Sequence, residues 1–145
     1  MCVDSVSQMR TDPYERLRPL PLFAECSDSE LAEIDSLCDE VNVPAGRQLI
    51  GQGEIGREFV IILEGEATVV RDGVEVATLG AGAYFGELAL LATVERNATV
   101  VAKTDVVAEV IDRRGFQTAI EDSPGLCRAL LRATAQRLAA IEATH

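Results

Sequence analysis

The alternation of apolar and polar positions changes three times along the chain. Up to about residue 12 it follows no period, and a flexible leader is expected there. The stretch RLRPLPLFAECSDSELAEIDSLCDEV then places Pro19 and Pro21 ahead of Leu22-Phe23, which breaks any helix at that point. Ser27 followed by Glu30 has the spacing of a capping box, and Leu31, Ile34 and Leu37 recur behind it at helical intervals. Helical character is therefore expected over about 13–40. Six acids between Asp28 and Glu40, with no base among them, are expected to form a solvated face.

From Val41 to about Ile111 the texture is short β-branched runs punctuated by glycine. Asp72-Gly73, between ATVVR and VEVATL, predicts a tight type I′ hairpin turn, which needs positive φ at both residues. Gly51, Gly53, Gly56, Gly65, Gly80 and Gly82 stand at the ends of apolar runs, where a small barrel or roll needs corners. Closure of the sheet is expected because it removes exposed edges.

After Asp112 the helical period returns over about 112–143. Phe116, Ala119 and Ile120 share one face, and Ser123-Pro124 predicts the start of a last helix, with Ser123 as cap and Pro124 at the first helical position. Cys127, Leu131, Thr134, Leu138 and Ile141 follow at intervals of four and three, a heptad-like seam. Two heptads leave two alternatives open: packing on the protein's own roll, or a homodimer through the last helix.

Composition narrows the function. At 145 residues the chain has the length of one domain, expected over 13–145, with a core that needs neither disulfides nor metals. A net charge of −11 argues against direct DNA binding by this chain and against anionic membrane surfaces, yet leaves room for a small anion in a buried site. Cys2, Cys26, Cys38 and Cys127 contain no CxxC pair and are expected to be reduced thiols of a cytoplasmic protein. The single histidine is His145, the last residue, so no metal site and no cofactor are expected. No apolar run is long enough to span a membrane, and the N-terminus lacks a signal-peptide pattern. Neither a Ser/His/Asp set nor a P-loop is present, which counts against an enzyme.

One stretch carries chemistry: FGELALLATVERNATV, Phe85 to Val100. Gly86 marks a backbone turn or close approach, and Glu87 to Leu91 reads as a short helical segment whose first N–H groups form an anion site. Arg96, nine positions after Glu87, could bring a guanidinium fork to the same anion. A carboxylate beside a phosphate would be repulsive unless it accepts hydrogen bonds, and a sugar hydroxyl is the obvious donor. The physical reading is a phosphate with an attached ribose. The alternative is an exposed Glu–Arg pair on a loop, worth at most about 1 kcal/mol.

The residues LPLFAECSDSELAEI, GQGEIGREFVIILEGEATV and LGAGAYFGELALL…ERNATVVA, in that order, resemble the cyclic nucleotide-binding domain family of bacterial catabolite activators and protein kinase A regulatory subunits. The resemblance covers nearly the whole chain. It implies a mainly β fold with flanking helices: an eight-stranded β-roll (a jelly-roll-like double-stranded β-helix), with N-terminal helices and two C-terminal helices. It implies that Glu87 holds the ribose 2′-hydroxyl and Arg96 the phosphate. The amides of Gly86, Leu88 and Ala89, with the N–H near Ala98, complete the cradle. Asn97 falls where the family touches ligand and base; threonine there accompanies cGMP preference, so asparagine leaves the base open, and the bacterial look of ERNATVVAKTDVVAEV makes cAMP the expectation. Glu95 departs from the proline of many members, which bears on loop rigidity. The base lid is expected from Leu131, Leu138 or Ile141. Function is then expected to be a cAMP-sensing regulatory module that signals through its C-terminal helices to an unidentified effector protein or a dimer mate. The competing readings are a β-roll scaffold that binds no nucleotide and the sensor part of a transcription regulator.

Overall fold

The computed structural model describes residues 16–87, 90 and 95–143. Eight strands form: β1 Asp39–Val43, β2 Gln48–Ile50, β3 Glu58–Glu64, β4 Ala67–Arg71, β5 Val74–Leu79, β6 Tyr84–Phe85, β7 Thr99–Ala102 and β8 Val106–Asp112. Among the described residues three α-helices accompany them: α1 Asp28–Ser36, α2 Arg113–Asp122 and α3 Pro124–Ala143. The eight-stranded roll with flanking helices is thus the fold the residues specify. Contacts group the chain into two compact units, one from Leu37 to Phe116 and one joining the residues before and after it.

Within the first unit, the strands make two antiparallel four-stranded sheets, in the orders β1-β8-β3-β6 and β2-β7-β4-β5. Period-two alternation sends Val60, Ile62, Phe85, Val106 and Ala108 of one sheet inward to meet Ala67, Val100 and Ala102 of the other. The opposite face of β3 is also buried, because Phe59 stacks on Tyr84 and Phe116 with ring centroids 5.6 and 4.9 Å apart. Burial on both faces explains why this strand reads as a continuous apolar run rather than an alternating one. The β4–β5 turn has Asp72 at φ 54° and Gly73 at φ 80°, the positive pair the Asp-Gly dipeptide predicts. Of the six glycines expected at corners, Gly53, Gly65 and Gly82 adopt positive φ, whereas Gly51, Gly56 and Gly80 do not. All six nonetheless lie between strands, where the spacing places the corners.

The second unit holds a 3-10 turn, Pro21–Phe23, against which α3 packs, with Leu22, Phe23, Leu126 and Leu130 buried. The capping box at α1 forms as the spacing predicts: the Ser27 N–H donates to Glu30 Oε1 at 2.7 Å, and the Glu30 N–H donates to Ser27 Oγ at 3.2 Å. The last helix starts as expected, with Ser123 at the cap position and Pro124 first, but the Ser123 side chain makes no capping bond among the described residues. The Ser123 carbonyl accepts from the Cys127 N–H at 3.1 Å, but the hydroxyl is buried without a hydrogen-bond partner among the described residues. Instead, Glu30 Oε2 reaches across and accepts from the Gly125 N–H at 3.2 Å. One carboxylate therefore serves two helix starts. Of the six acids between Asp28 and Glu40, four are exposed, as a solvated face requires, and Glu30 and Asp35 are half-buried. Asp28 pairs with Arg18 and Asp35 with Arg16, because the two arginines bring the missing bases from an earlier segment.

These bonds hold the Glu30 carboxyl below its ordinary value of 4.5, first through the Ser27 backbone N–H and, against the opposing pull of desolvation, through the Gly125 N–H. A lowered folded pKa gives stability that is complete above 4.5 and is lost as acid protonates the group in the folded state. Glu30→Gln keeps one acceptor and removes the charge at both N-termini, so about 1–2 kcal/mol should be lost at neutral pH. Urea denaturation should show the gap between variant and parent closing as the pH falls below the carboxyl range. A constant gap would contradict the double cap.

Burial pushes the Cys26 thiol up to about 11, and Cys26, Cys38 and Cys127 are free thiols. Among the described residues no helix is long and apolar enough to cross a membrane. Nor do the described residues contain a group of three or more His, Cys, Asp or Glu side chains able to hold a metal ion.

Candidate functional site

Arg96 and Glu87 are both buried, with exposures of 6% and 4%. That overturns the exposed loop pair as an account of them. Arg96 Nη1 donates to the Gly86 carbonyl at 3.1 Å and Nη2 to the Glu58 carbonyl at 2.7 Å. The fork thus ties the end of β6 to the start of β3. Gly86 makes this possible: at φ 99°, a Cβ there would lie 2.6 Å from both Arg96 Nη1 and the Glu58 oxygen. The guanidinium occupies the space a side chain would fill. Glu87 follows directly, and its charge reaches Arg96. Its Oε1 atom is buried and makes no hydrogen bond among the described residues, although the residue itself is engaged.

Burial pulls the Arg96 guanidinium below its ordinary range, and Arg113 adds to that pull; Glu58, Glu54 and Glu87 oppose it, Glu58 most strongly. Arginine remains charged under all ordinary conditions, so a permanent cation sits at this end of the roll. Its backbone is gripped as firmly as its side chain. The Arg96 N–H donates to the Glu54 carbonyl and the Gly53 N–H donates to the Arg96 carbonyl, both at 2.8 Å. Ile55 and Glu95 form an isolated antiparallel bridge alongside. The 51–56 loop is therefore a third strand-like wall of the site. Arg113 Nη2 donates to the Gly56 carbonyl at 2.5 Å, which fixes the far end of that loop. Glu54, Glu58 and Arg113 escape sequence reasoning, since they approach Arg96 only through the folded topology.

Ala98, expected to lend its N–H, is buried where the chain enters β7. Asn97 is exposed, and its carbonyl accepts from Arg71 Nε at 3.1 Å. Gly86, Glu87 and Arg96 are brought together. Leu88 and Ala89, expected to give two amides of the cradle, lie outside the described residues, as does most of the helical segment after Glu87. On α3, Leu131, Leu138 and Ile141 are 66%, 56% and 55% exposed. The reason is local: Leu126 and Leu130 take the buried positions of that helix.

The sequence matches the family described as cyclic nucleotide-binding domain over residues 40–123. It is similar to the cAMP-dependent protein kinase regulatory subunit of Aspergillus niger, 38% identical over 117 residues, covering 79% of this chain and 28% of the relative. The fold is similar to that of the Thermus thermophilus catabolite activator protein, with a TM-score of 0.79 and 28% identity over 86% of this chain and 61% of that one. It is equally similar to the regulatory subunit of a cAMP-independent protein kinase A from Trypanosoma brucei, with a TM-score of 0.79 and 28% identity, covering 88% of this chain and 46% of the other. The chain thus spans less than a third of the curated fungal relative and under two thirds of either solved chain.

Proposed function

Because the chain belongs to the cyclic nucleotide-binding domain family, we propose that it is a cAMP-responsive regulatory module acting in the cytoplasm. The carrying observation is the burial of Glu87 and Arg96 in one short segment, with the guanidinium seated over Gly86. A charge taken out of water costs several kcal/mol that partners must offset, whereas the same pair on an open loop would stay hydrated at no such cost, so burial of both groups points to a site that uses them. Two of the five N–H groups of Arg96 go to carbonyls, leaving three for a cyclic phosphate. Glu87 then accepts from the ribose 2′-hydroxyl, a donor that a carboxylate beside a phosphate requires. The amides of Gly86, Leu88 and Ala89 and the N–H near Ala98 close the phosphate cradle, with Asn97 beside the base.

Signalling runs through the last helix. Leu131, Leu138 and Ile141 form an exposed apolar row on α3, which serves either as lid over the purine or as the contact with a dimer mate or effector protein. Ligand can shift that helix by no more free energy than its difference in affinity for the two arrangements. The module itself extends over 13–145.

A second reading, a β-roll that binds no cAMP, is favoured by one observation: a solved relative of the same fold and identity is described as cAMP-independent. A thermal-shift titration with cAMP and cGMP, followed by size-exclusion chromatography, separates the two. At a hundredfold excess over Kd, cAMP should add about 2.7 kcal/mol of stability and raise the melting temperature clearly. No shift with either nucleotide would leave the scaffold reading standing.

A further inference from the structure

The exposed turn between β4 and β5 lies far from Arg96 in sequence but is wired to both of its flanks. Gln52 makes three bonds that close a ring. Its Nε2 donates to Asp72 Oδ1 at 2.8 Å, its Oε1 accepts from the Asp72 N–H at 2.9 Å, and its own N–H donates to Thr99 Oγ1 at 2.9 Å. Asp72 is the only non-glycine with positive φ among the described residues, a conformation L side chains seldom adopt. The Gln52 amide meets both its N–H and its carboxylate, so the turn is held by the loop and the loop by the turn. The residue after Gln52 donates to the Arg96 carbonyl, and Glu54 accepts from the Arg96 N–H. On the other flank, Arg71, immediately before the turn, holds the Asn97 carbonyl through Nε.

We propose that Gln52, Arg71 and Asp72 form a positioning clip that fixes the Arg96 backbone from both sides and thereby sets the affinity of the site for a cyclic phosphodiester. The clip touches no ligand atom. It acts by keeping the guanidinium in register with Gly86, where a small displacement of backbone would misalign every donor. The inference rests on Arg96 being the phosphate-binding residue, as proposed above.

The test uses the full chain with cAMP as probe and amide hydrogen exchange as a ligand-free readout. In Gln52→Ala and Arg71→Ala, the amides of Arg96 and Gly53 should lose protection by about tenfold or more, while those of Val60 and Ile62 in β3 stay as in the parent. The Kd for cAMP should rise by about tenfold in both variants. Asp72→Asn keeps an acceptor for Gln52 and tolerates positive φ, so its Kd should stay within about twofold of the parent. Exchange at Arg96 unchanged in both alanine variants would overturn the clip. So would lost protection with an unaltered Kd, because the fixing would then not govern affinity. If the parent binds no cAMP, the phosphate reading fails; the affinity claim fails with it, and the exchange result alone decides whether the clip holds the backbone.

Discussion

Arg96→Ala should weaken cAMP binding by more than about thirtyfold, the consequence of about 2–5 kcal/mol for leaving a buried anion without its cationic partner. The effect on folding should be much smaller. The substitution removes two hydrogen bonds to the Gly86 and Glu58 carbonyls, but it also removes the cost of burying a guanidinium, and the two oppose each other. Binding and stability therefore come apart at this position. Arg96→Lys sharpens the test, since it keeps a charge and gives up the planar fork; affinity should fall between parent and alanine. Calorimetric titration beside a urea melt measures both quantities. Equal affinity of parent and Arg96→Ala would refute the role given to the guanidinium.

Gly86→Ala should be the most damaging single methyl in the site. Positive φ at a non-glycine costs about 1–3 kcal/mol, and overpacking a filled space costs about 1–3 more. One of the two atoms met at 2.6 Å is the Glu58 backbone oxygen, which cannot swing aside. The other is Arg96 Nη1, which can, so the guanidinium should be displaced and affinity lost along with stability. About 2–6 kcal/mol of destabilisation is expected, a fall in melting temperature of about 5–20 °C for a chain of this size. Gly73→Ala provides the comparison. Gly73 also has positive φ, but a Cβ there meets nothing within 4 Å, so only the conformational part should remain. If the two glycine variants melt alike, crowding at Arg96 is not what Gly86 relieves.

The parts of this fold that were legible in the sequence are those decided by neighbours along the chain. Ser27 and Glu30 cap a helix three residues apart, and Asp72-Gly73 closes a hairpin on its own conformational preference. The pairing of Glu87 with Arg96 was legible for a related reason, because both belong to one short segment with a glycine at its head. What the sequence hid is what distant strands deliver. Glu58 and Arg113 reach Arg96 only because β3 and β8 run side by side. The second use of Glu30 spans 95 positions, and no local rule signals it. Ser123 shows the converse failure: the right residue stands at the right position, yet its buried hydroxyl makes no cap and a distant carboxylate does the capping. The seam on α3 had a correct period and an undecided destination, since periodicity names a face but not what covers it.

The central claim is a division of labour in which Arg96 takes the phosphate and Glu87 the sugar. Titrating the parent and Glu87→Ala with cAMP and with its 2′-deoxy analogue tests it most directly. The parent should prefer cAMP by about tenfold or more, the worth of one charge-assisted hydrogen bond, and Glu87→Ala should bind the two ligands alike. A parent that holds both ligands equally, or a preference that survives the loss of the carboxylate, would contradict the assignment.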